Sequence, residues 1–231
     1  MNEAEFLAGY EPASFAAVAV TVDVVPLTFH EDRLRLLAVR RAVHPKRGRL
    51  ALPGTFVRAD ETLDVTAHRA LREKAGFNTQ VEQFGAFGAL TRDPRMRIIS
   101  VAYMALTTFD QIEPILDEDR ALLALDGGVA RGTNGRKVSL AFDHAEIVET
   151  ALGVLRRDLD STAFSFGLLP PAFSLRELQR VHEAIRGQPL NKPAFRKRLV
   201  ESGRIEPTGM RETDKGYRPA ELYRVRGTDN A

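Results

Sequence analysis

The first part of the chain shows a pattern of apolar and polar positions that predicts β-strands. Residues 16–26 are mostly small or β-branched, which is typical of a buried strand. A polar turn at 30–33 separates this strand from residues 34–41, its predicted hairpin partner. Three further runs of apolar residues predict strands at 81–90, 97–106 and 135–142.

Two helices are predicted between these strands. The first spans residues 63–75, with Thr62 as its N-cap and Gly76 as the residue that ends it. Asp143 opens the second helix, and Glu146 is its predicted capping-box partner. Helices flanked by strands in this order predict an α/β sandwich.

The C-terminal part has a different pattern. Residues 161–173 are predicted to be a connector, because two consecutive prolines within them cannot continue a helix. Ser174 and Asn191 then cap two short helices, and residues 204–226 read as two strands around an Asp-Lys-Gly turn. Helix, helix and hairpin in this order are the layout of a winged helix-turn-helix. We therefore predict two domains, at residues 1–160 and 161–231.

Composition narrows the class of protein. Of the 231 residues, 44% are hydrophobic and 28% are charged, as in ordinary soluble globular proteins. No stretch approaches the roughly 18 apolar residues of a membrane helix, and the acidic start lacks the basic region of a secretory signal. The chain has no cysteine, which excludes disulfides and cysteine-ligated zinc. We expect a cytoplasmic protein.

Charge is distributed unevenly. Residues 171–231 carry 13 Lys and Arg against 8 Asp and Glu, a net charge of +5, whereas the preceding 170 residues carry 20 against 23, a net charge of −3. A basic C-terminal module favours a polyanionic partner. A basic tail that serves only solubility is the alternative.

Residues 52–77, LPGTFVRADETLDVTAHRALREKAGF, resemble the Nudix box, whose signature runs from a Gly through a Glu to Arg-Glu-apolar-x-Glu-Glu-x-Gly-apolar. Glu61, Arg69 and Glu73 stand in their expected places, as do Leu71, Gly76 and Phe77. Three positions depart from the signature: Thr55, Ala70 and Lys74 replace a Gly and two Glu.

The resemblance implies what these departures remove. In the family, acids at the positions of Ala70 and Lys74 hold the divalent metals that activate water, whereas an ion pair at Arg69 and Glu73 shapes the neighbouring loop. We therefore predict a pocket that binds a nucleotide diphosphate without metal and without hydrolysis. The alternative is an active hydrolase that uses displaced acids, namely Asp60, Glu61 and Asp64.

The whole chain is similar to the NrtR family, the Nudix-related transcriptional regulators of NAD metabolism. Segments that carry the similarity include TRDPRMRIISVAY (91–103), LAFDHAEIV (140–148), FSFGLLPPAFSLRELQRVHEAIRG (164–187) and GYRPAELYRV (216–225). The resemblance implies a Nudix-like α/β/α sandwich with a mixed sheet, followed by a winged helix. It also implies a homodimeric repressor of NAD-biosynthesis genes that senses ADP-ribose, needs no cofactor and binds a palindromic operator.

Candidate DNA-binding residues lie in the second predicted helix of the winged helix and in its hairpin. In 191–203, Phe195 and Leu199 point inward, so the consecutive basic residues between them spread across about 200° of exposed surface. Arginine can pair with guanine in the major groove, and its neighbours can hold phosphates. The candidates are Lys192, Arg196, Lys197, Arg198, Lys215 and Arg218.

Candidate ligand-binding residues surround the Nudix box: Arg40, Phe56, Arg69, Lys74 and Arg95. The cations would face a pyrophosphate, and the ring of Phe56 would line the pocket. Exposed strand-end arginines and a buried core phenylalanine are the structural alternatives. Two other functions stay open, namely a pyrophosphatase acting on ADP-ribose or a sugar nucleotide, and a nucleic-acid-binding protein whose Nudix fold only dimerises.

Overall fold

A mixed β-sheet lies between two layers of helices, as predicted. The computed structural model describes residues 2–160, 164–213 and 219–227. The strands of this sheet are β1 (Ala19–His30), β2 (Arg33–Arg40), β3 (Leu50–Ala51), β4 (Gly54–Phe56), β5 (Val81–Phe87), β6 (Ile98–Leu106), β7 (Arg120–Asp126) and β8 (Val129–Arg131). Their order is β5-β6-β1-β2-β7-β8, with β3 beside β2 and β4 beside β1. Strands β1 and β6 are parallel, and the other pairs are antiparallel.

Six α-helices accompany the strands in the described part of the chain. They are α1 (Glu3–Ala8), α2 (Leu63–Ala70), α3 (Phe109–Ile112), α4 (His144–Asp158), α5 (Leu175–Arg186) and α6 (Lys192–Glu201). A π-helical turn at Leu71–Ala75 continues α2, so the predicted helix 63–75 is present with a change of winding. No helix in the part of the chain that the structure describes is long and apolar enough to cross a membrane.

Side chains of the central strands alternate between the two helical layers. In β1, Val22 and Val24 face a buried cluster with α2, whereas Val25 and Leu27 face a second cluster with α4. Strand β6 shows the same period of two, as expected of a pleated sheet. Both faces of the sheet are therefore buried, which makes this part an α/β/α sandwich.

The box helix begins and ends where the sequence predicts. The Thr62 side chain accepts a hydrogen bond from the backbone N–H of Val65 at 3.3 Å. Gly76 follows the π-helical turn at φ +89°, and its N–H donates to the carbonyl of Leu71. A left-handed residue here favours glycine because a Cβ is strained at positive φ.

A winged helix follows the sandwich. Strands β9 (Phe173–Ser174), β10 (Ile205–Arg211) and β11 (Glu221–Val225) form a second sheet in the order β10-β11-β9. Ser174 and Glu177 form the predicted capping box of α5, and the Asn191 side chain accepts from Ala194 at the start of α6. The predicted Asp-Lys-Gly turn, with Lys215 and Arg218, lies outside the described residues.

Two predictions for the sandwich are wrong. Residues 135–142 form no strand beyond an isolated bridge at Lys137, because their backbone bonds two separate segments: Val138 donates to Ala130, and Ala141 donates to Leu50. Asp143 precedes α4 but makes no side-chain cap. Its carboxylate accepts two hydrogen bonds from Arg92 instead. Strands β7 and β8 were not predicted.

Helix α4 connects the two parts of the fold. Near its end, Arg156 Nε donates to the Ile185 carbonyl of α5 at 2.9 Å. Within the predicted connector, residues 164–168 form a 3-10 turn, and the rings of Phe166 and Phe173 stack at 5.8 Å. The buried cluster against α4 continues through these rings into α5 and α6.

Candidate functional site

A cavity of about 550 Å³ opens beside the Nudix-box helix. Its walls combine six basic side chains with aromatic rings, which suit an anionic ligand carrying a planar base, and they also include five acidic side chains: Asp23, Glu73, Asp93, Asp117 and Asp119. The basic side chains are Arg40, Arg41, Lys74, Arg92, Arg95 and Arg120, and the rings are Phe56, Phe142 and His144. Four of the five predicted ligand-binding residues are therefore brought together: Arg40, Phe56, Lys74 and Arg95.

The fifth, Arg69, does not line the cavity. Its guanidinium holds the loop before α2: Nε and Nη2 donate to the Glu61 carboxylate at 2.8 and 2.7 Å, and Nη1 donates to the hydroxyl of Thr55 at 3.1 Å. Nη2 also donates to the carbonyl of Phe56 at 2.9 Å. Glu73 is farther away, at 3.6 Å. Arg69 thus fixes the loop mainly through Glu61, and Thr55 serves as an acceptor where the signature has glycine.

The hydrogen bonds from Arg69 also change the electrostatics of the loop. They lower the pKa of Glu61 and raise the pKa of Arg69, because each partner favours the charged form of the other. Thr66 donates a further hydrogen bond to Glu61 at 3.2 Å. The Glu61 carboxylate is therefore occupied by partners within the chain.

Phe56 and Arg95 form one wall of the cavity. The Arg95 guanidinium lies 5.3 Å from the centre of the Phe56 ring, which is within cation–π range. Asp93 accepts from Arg95 Nε at 3.0 Å and from Nη2 at 2.8 Å, and it is itself buried. Phe56 remains 43% exposed. Asp93 thus holds Arg95 in place, and part of the Phe56 ring is exposed to a ligand.

Arg40 and Lys74 approach the cavity from other elements. Arg40 ends β2 and donates to the carbonyls of Glu118 and Gly48 at 3.2 and 3.0 Å. Lys74 lies in the π-helical turn after α2. Ala70, one turn earlier, is fully buried in the core.

A buried network that the sequence did not indicate underlies the cavity. The Arg92 side chain donates to Asp143 at 2.8 and 2.9 Å and to Asp23 at 3.3 Å. His144 Nδ1 accepts from the backbone of Leu52 at 2.8 Å, and its Nε2 lies 3.6 Å from Asp23. Burial lowers the pKa of His144. This network joins the start of α4 to the cavity wall, because Asp23, Arg92 and His144 all line the cavity.

Glycine at position 54 allows the cavity loop to pass close to this network. A Cβ on Gly54 would lie 2.1 Å from Asp23 Oδ1 and 2.9 Å from the carbonyl of Val22. The glycine of the Leu-Pro-Gly lead-in therefore has a steric reason in this chain.

The acids named for the alternative hydrolase are not gathered at the cavity. Asp64 accepts a hydrogen bond from the Tyr103 hydroxyl at 2.6 Å, and Asp60 is exposed on the loop. Among the residues the structure describes, no group of three or more His, Asp and Glu side chains is arranged to hold a metal ion.

A second candidate site lies on α6. Phe195 and Leu199 are buried as predicted, and the four basic candidates on this helix are exposed: Lys192, Arg196, Lys197 and Arg198. Arg198 also lies 5.8 Å from the Phe195 ring and 3.7 Å from Asp160, which follows α4. Helix α6 therefore presents the positive surface that binding to a phosphate backbone requires.

Comparisons with known proteins assign both parts of the chain. Residues 18–125 match the Nudix domain, and residues 165–225 match the NrtR DNA-binding winged helix domain. Over 228 residues the chain is 35% identical to the ADPR responsive transcriptional repressor NtrR of Acinetobacter baylyi, a match that covers 96% of this chain and 88% of that protein. The chain belongs to the NrtR family. This confirms the resemblance seen in the sequence.

Solved structures of NrtR from Shewanella oneidensis are also similar to this chain. The structure complexed with a 27mer DNA has a TM-score of 0.79 and 32% identity, and the match covers 90% of this chain and 93% of that one. The Nudix domain complexed with ADP ribose has a TM-score of 0.56 and 35% identity, with 67% and 99% covered. The predicted fold, a Nudix-like sandwich followed by a winged helix, is confirmed.

Proposed function

We propose that this member of the NrtR family is a transcriptional repressor of NAD-biosynthesis or salvage genes, in which ADP-ribose bound to the Nudix-like domain changes the affinity for DNA. One observation carries the proposal: a cavity lined by cations and rings and a winged helix with a basic second helix belong to one chain. Whole-chain similarity to an ADPR responsive repressor supports the same conclusion.

The candidate residues have two roles: four contact the ligand, and Arg69 holds the loop. Arg40, Lys74 and Arg95 contact the pyrophosphate of ADP-ribose, and Phe56 contacts its base or sugar. Arg69 acts through the loop, because its donors are directed to Glu61, Thr55 and Phe56. Guanidinium groups suit this task since they donate to phosphate oxygens in a fixed geometry.

The protein binds its nucleotide without hydrolysing it. Hydrolysis would need acids where Ala70 and Lys74 stand. Ala70 is buried, and Lys74 brings a positive charge that repels a divalent metal and attracts phosphate. Glu61 remains from the signature, but Arg69 and Thr66 already use its oxygens.

The winged helix supplies the DNA-binding function. Residues 1–160 form the sensing domain and residues 161–231 the DNA-binding domain, joined by the connector 161–173. A cytoplasmic homodimer binds a palindromic duplex, with α6 of each copy in the major groove and the β10–β11 hairpin beside it. Half-sites about one helical turn apart, or a multiple of it, follow from that symmetry.

Helix α4 connects the ligand cavity to the DNA-binding domain. Its first residue, His144, lines the cavity, and Arg156 and Asp160 near its end contact α5 and α6. At 15 residues the helix spans about 22 Å. ADP-ribose shifts DNA binding only if it favours a different arrangement of this helix than DNA does.

Fluorescence anisotropy tests the proposal. The full-length protein is titrated onto labelled duplexes from upstream of its own operon and of NAD-biosynthesis genes, with and without ADP-ribose, and NAD serves as the control ligand. We expect salt-sensitive binding and a change in affinity of about fivefold or more with ADP-ribose only. Binding that ignores ADP-ribose would remove the sensor. No binding to DNA, together with Mg²⁺-dependent cleavage of ADP-ribose, would establish a pyrophosphatase instead.

A further inference from the structure

The outward face of α6 carries exposed apolar side chains as well as charge. Phe195 and Leu199 fix which face is buried, since they are 3% and 7% exposed. Opposite them lie Pro193, Lys197 and Val200, whose spacing of four and three residues places them in one row. All three are exposed, and Val200 is 58% exposed.

This face differs from that of the preceding helix. The residues of α5 classed as exposed are Arg176 and Arg180, and the apolar side chains Leu178, Val181 and Ile185 are buried. In α6 an exposed apolar side chain, Val200, stands instead beside the basic residues Arg196 and Lys197. A solvated helix face gains nothing from a β-branched apolar residue, which also has a lower helix propensity than Lys or Glu.

The charges around Val200 identify the partner. Arg196 and Lys197 lie one turn before Val200, on either side of it, and Lys197 is 3.9 Å from Glu201. That exposed pair is weak in water, so Lys197 can turn to a phosphate. An apolar protein surface would leave these cations desolvated and unpaired. The major groove of DNA offers anions on both sides and, on its floor, one apolar group: the C5 methyl of thymine.

We propose that Val200 reads thymine in the operator by packing against its C5 methyl group in the major groove. This inference rests on the proposed DNA-binding function and adds the residue and base that give specificity. The row from Pro193 to Val200 is about 10 Å long, or about three base pairs. Each half-site of the operator therefore contains a required thymine at the position that faces Val200.

Replacing thymine by uracil removes only the methyl group, which makes a direct test. Duplexes that bind the full-length protein are first selected from random-sequence DNA. In the enriched duplex each symmetric pair of thymines is then changed to uracil, and affinity is measured by anisotropy. At one pair we expect affinity to fall about tenfold, because one buried methyl per half-site is removed. The other pairs should change little.

A variant connects that position to the side chain. Val200→Ala should bind the thymine duplex about as weakly as the wild-type protein binds the uracil duplex, and it should no longer distinguish the two. Val65→Ala is the matched control, since Val65 is an exposed valine in the box helix, 47% exposed. It should keep both the affinity and the discrimination.

The outcomes separate the two proposals. If selection enriches no sequence, sequence-specific repression fails and the role of Val200 fails with it. If a sequence is enriched but every uracil duplex binds as its thymine parent does, only the thymine contact is overturned. Discrimination that persists in Val200→Ala would also overturn it, because another residue would then read the methyl group.

Discussion

The carboxylate of Asp160 lies 3.7 Å from the guanidinium of Arg198, so the residue that follows α4 meets a residue predicted to bind DNA. The same carboxylate lies 2.5 Å from Arg186 and 3.7 Å from His182, both in α5. Three basic or titratable side chains of the winged helix thus share one acid from the end of the sandwich. The position of α4 and the charge presented by α6 are therefore linked.

Replacing Asp160 by Asn should strengthen DNA binding. The variant removes a negative charge that competes with phosphate for Arg198. An exposed pair of this kind is worth up to about 1 kcal/mol, so affinity should rise by up to about fivefold at low salt. Asp158→Asn is the matched control, because Asp158 pairs with Arg157 on the same helix. Unchanged affinity in Asp160→Asn would show that this acid does not restrain Arg198.

Removing two cations of α6 should separate DNA binding from ligand binding. Arg196→Ala with Arg198→Ala deletes two side chains that bind phosphate or base and should weaken DNA binding by about tenfold or more. The slope of log affinity against log salt should fall by about 0.9 for each phosphate that is no longer neutralised. Calorimetry should find unchanged affinity for ADP-ribose. Equal weakening of both activities would contradict the assignment of α6.

The elements that the sequence predicts well are those whose cause is local. The continuous apolar runs of β1 and β6 follow from burial on both faces, and the caps at Thr62 and Ser174 act within three residues. The predictions fail where a distant residue takes over a local role. Asp143 has the sequence of a helix cap, yet Arg92, 51 residues away, uses its carboxylate.

In the candidate site, too, the sequence predicts local features well and long-range contacts poorly. The Nudix box identified the cavity wall that includes Phe56 and Lys74, because loop and helix are continuous in sequence. The network of Asp23, Arg92 and His144 comes from three separate segments, and no spacing along the chain connects them. Arg69 was named as a ligand-binding candidate, although the resemblance also implied that it pairs with Glu73 to shape the loop. Its partners in the fold fit the loop-holding role, but the main one is Glu61, which the sequence did not indicate.

Removing the Phe56 ring should weaken the binding of ADP-ribose. Phe56→Ala removes both an apolar surface for the ligand and the ring that supports Arg95, so we expect affinity to fall about tenfold. Phe15→Ala is the matched control, because Phe15 is an exposed ring outside the cavity. Calorimetry compares the two variants, and DNA binding without ligand should stay unchanged in both. A Phe56→Ala protein that binds ADP-ribose normally would remove this ring from the site.

Acid should destabilise the winged helix through His182. Burial against Phe195 lowers the pKa of this histidine to about 4, whereas in the unfolded chain it is about 6.5. The unfolded state therefore binds more protons between pH 6.5 and 4, and stability falls as pH decreases through that window. The full contribution is about 3 kcal/mol, since each pKa unit corresponds to about 1.4 kcal/mol. This stabilisation is fully present above pH 6.5.

Urea unfolding of the full-length protein at pH 7 and at steps down to pH 4 measures this dependence. His182→Leu removes the titrating group and should flatten the curve by about 3 kcal/mol between pH 6.5 and 4. Burial also lowers the pKa of His144, so this residue contributes a loss of stability in acid that remains in the variant. His44→Gln changes an exposed histidine and should leave the curve unchanged. A His182→Leu protein that loses stability in acid as steeply as the wild type would show that folding does not lower the pKa of His182.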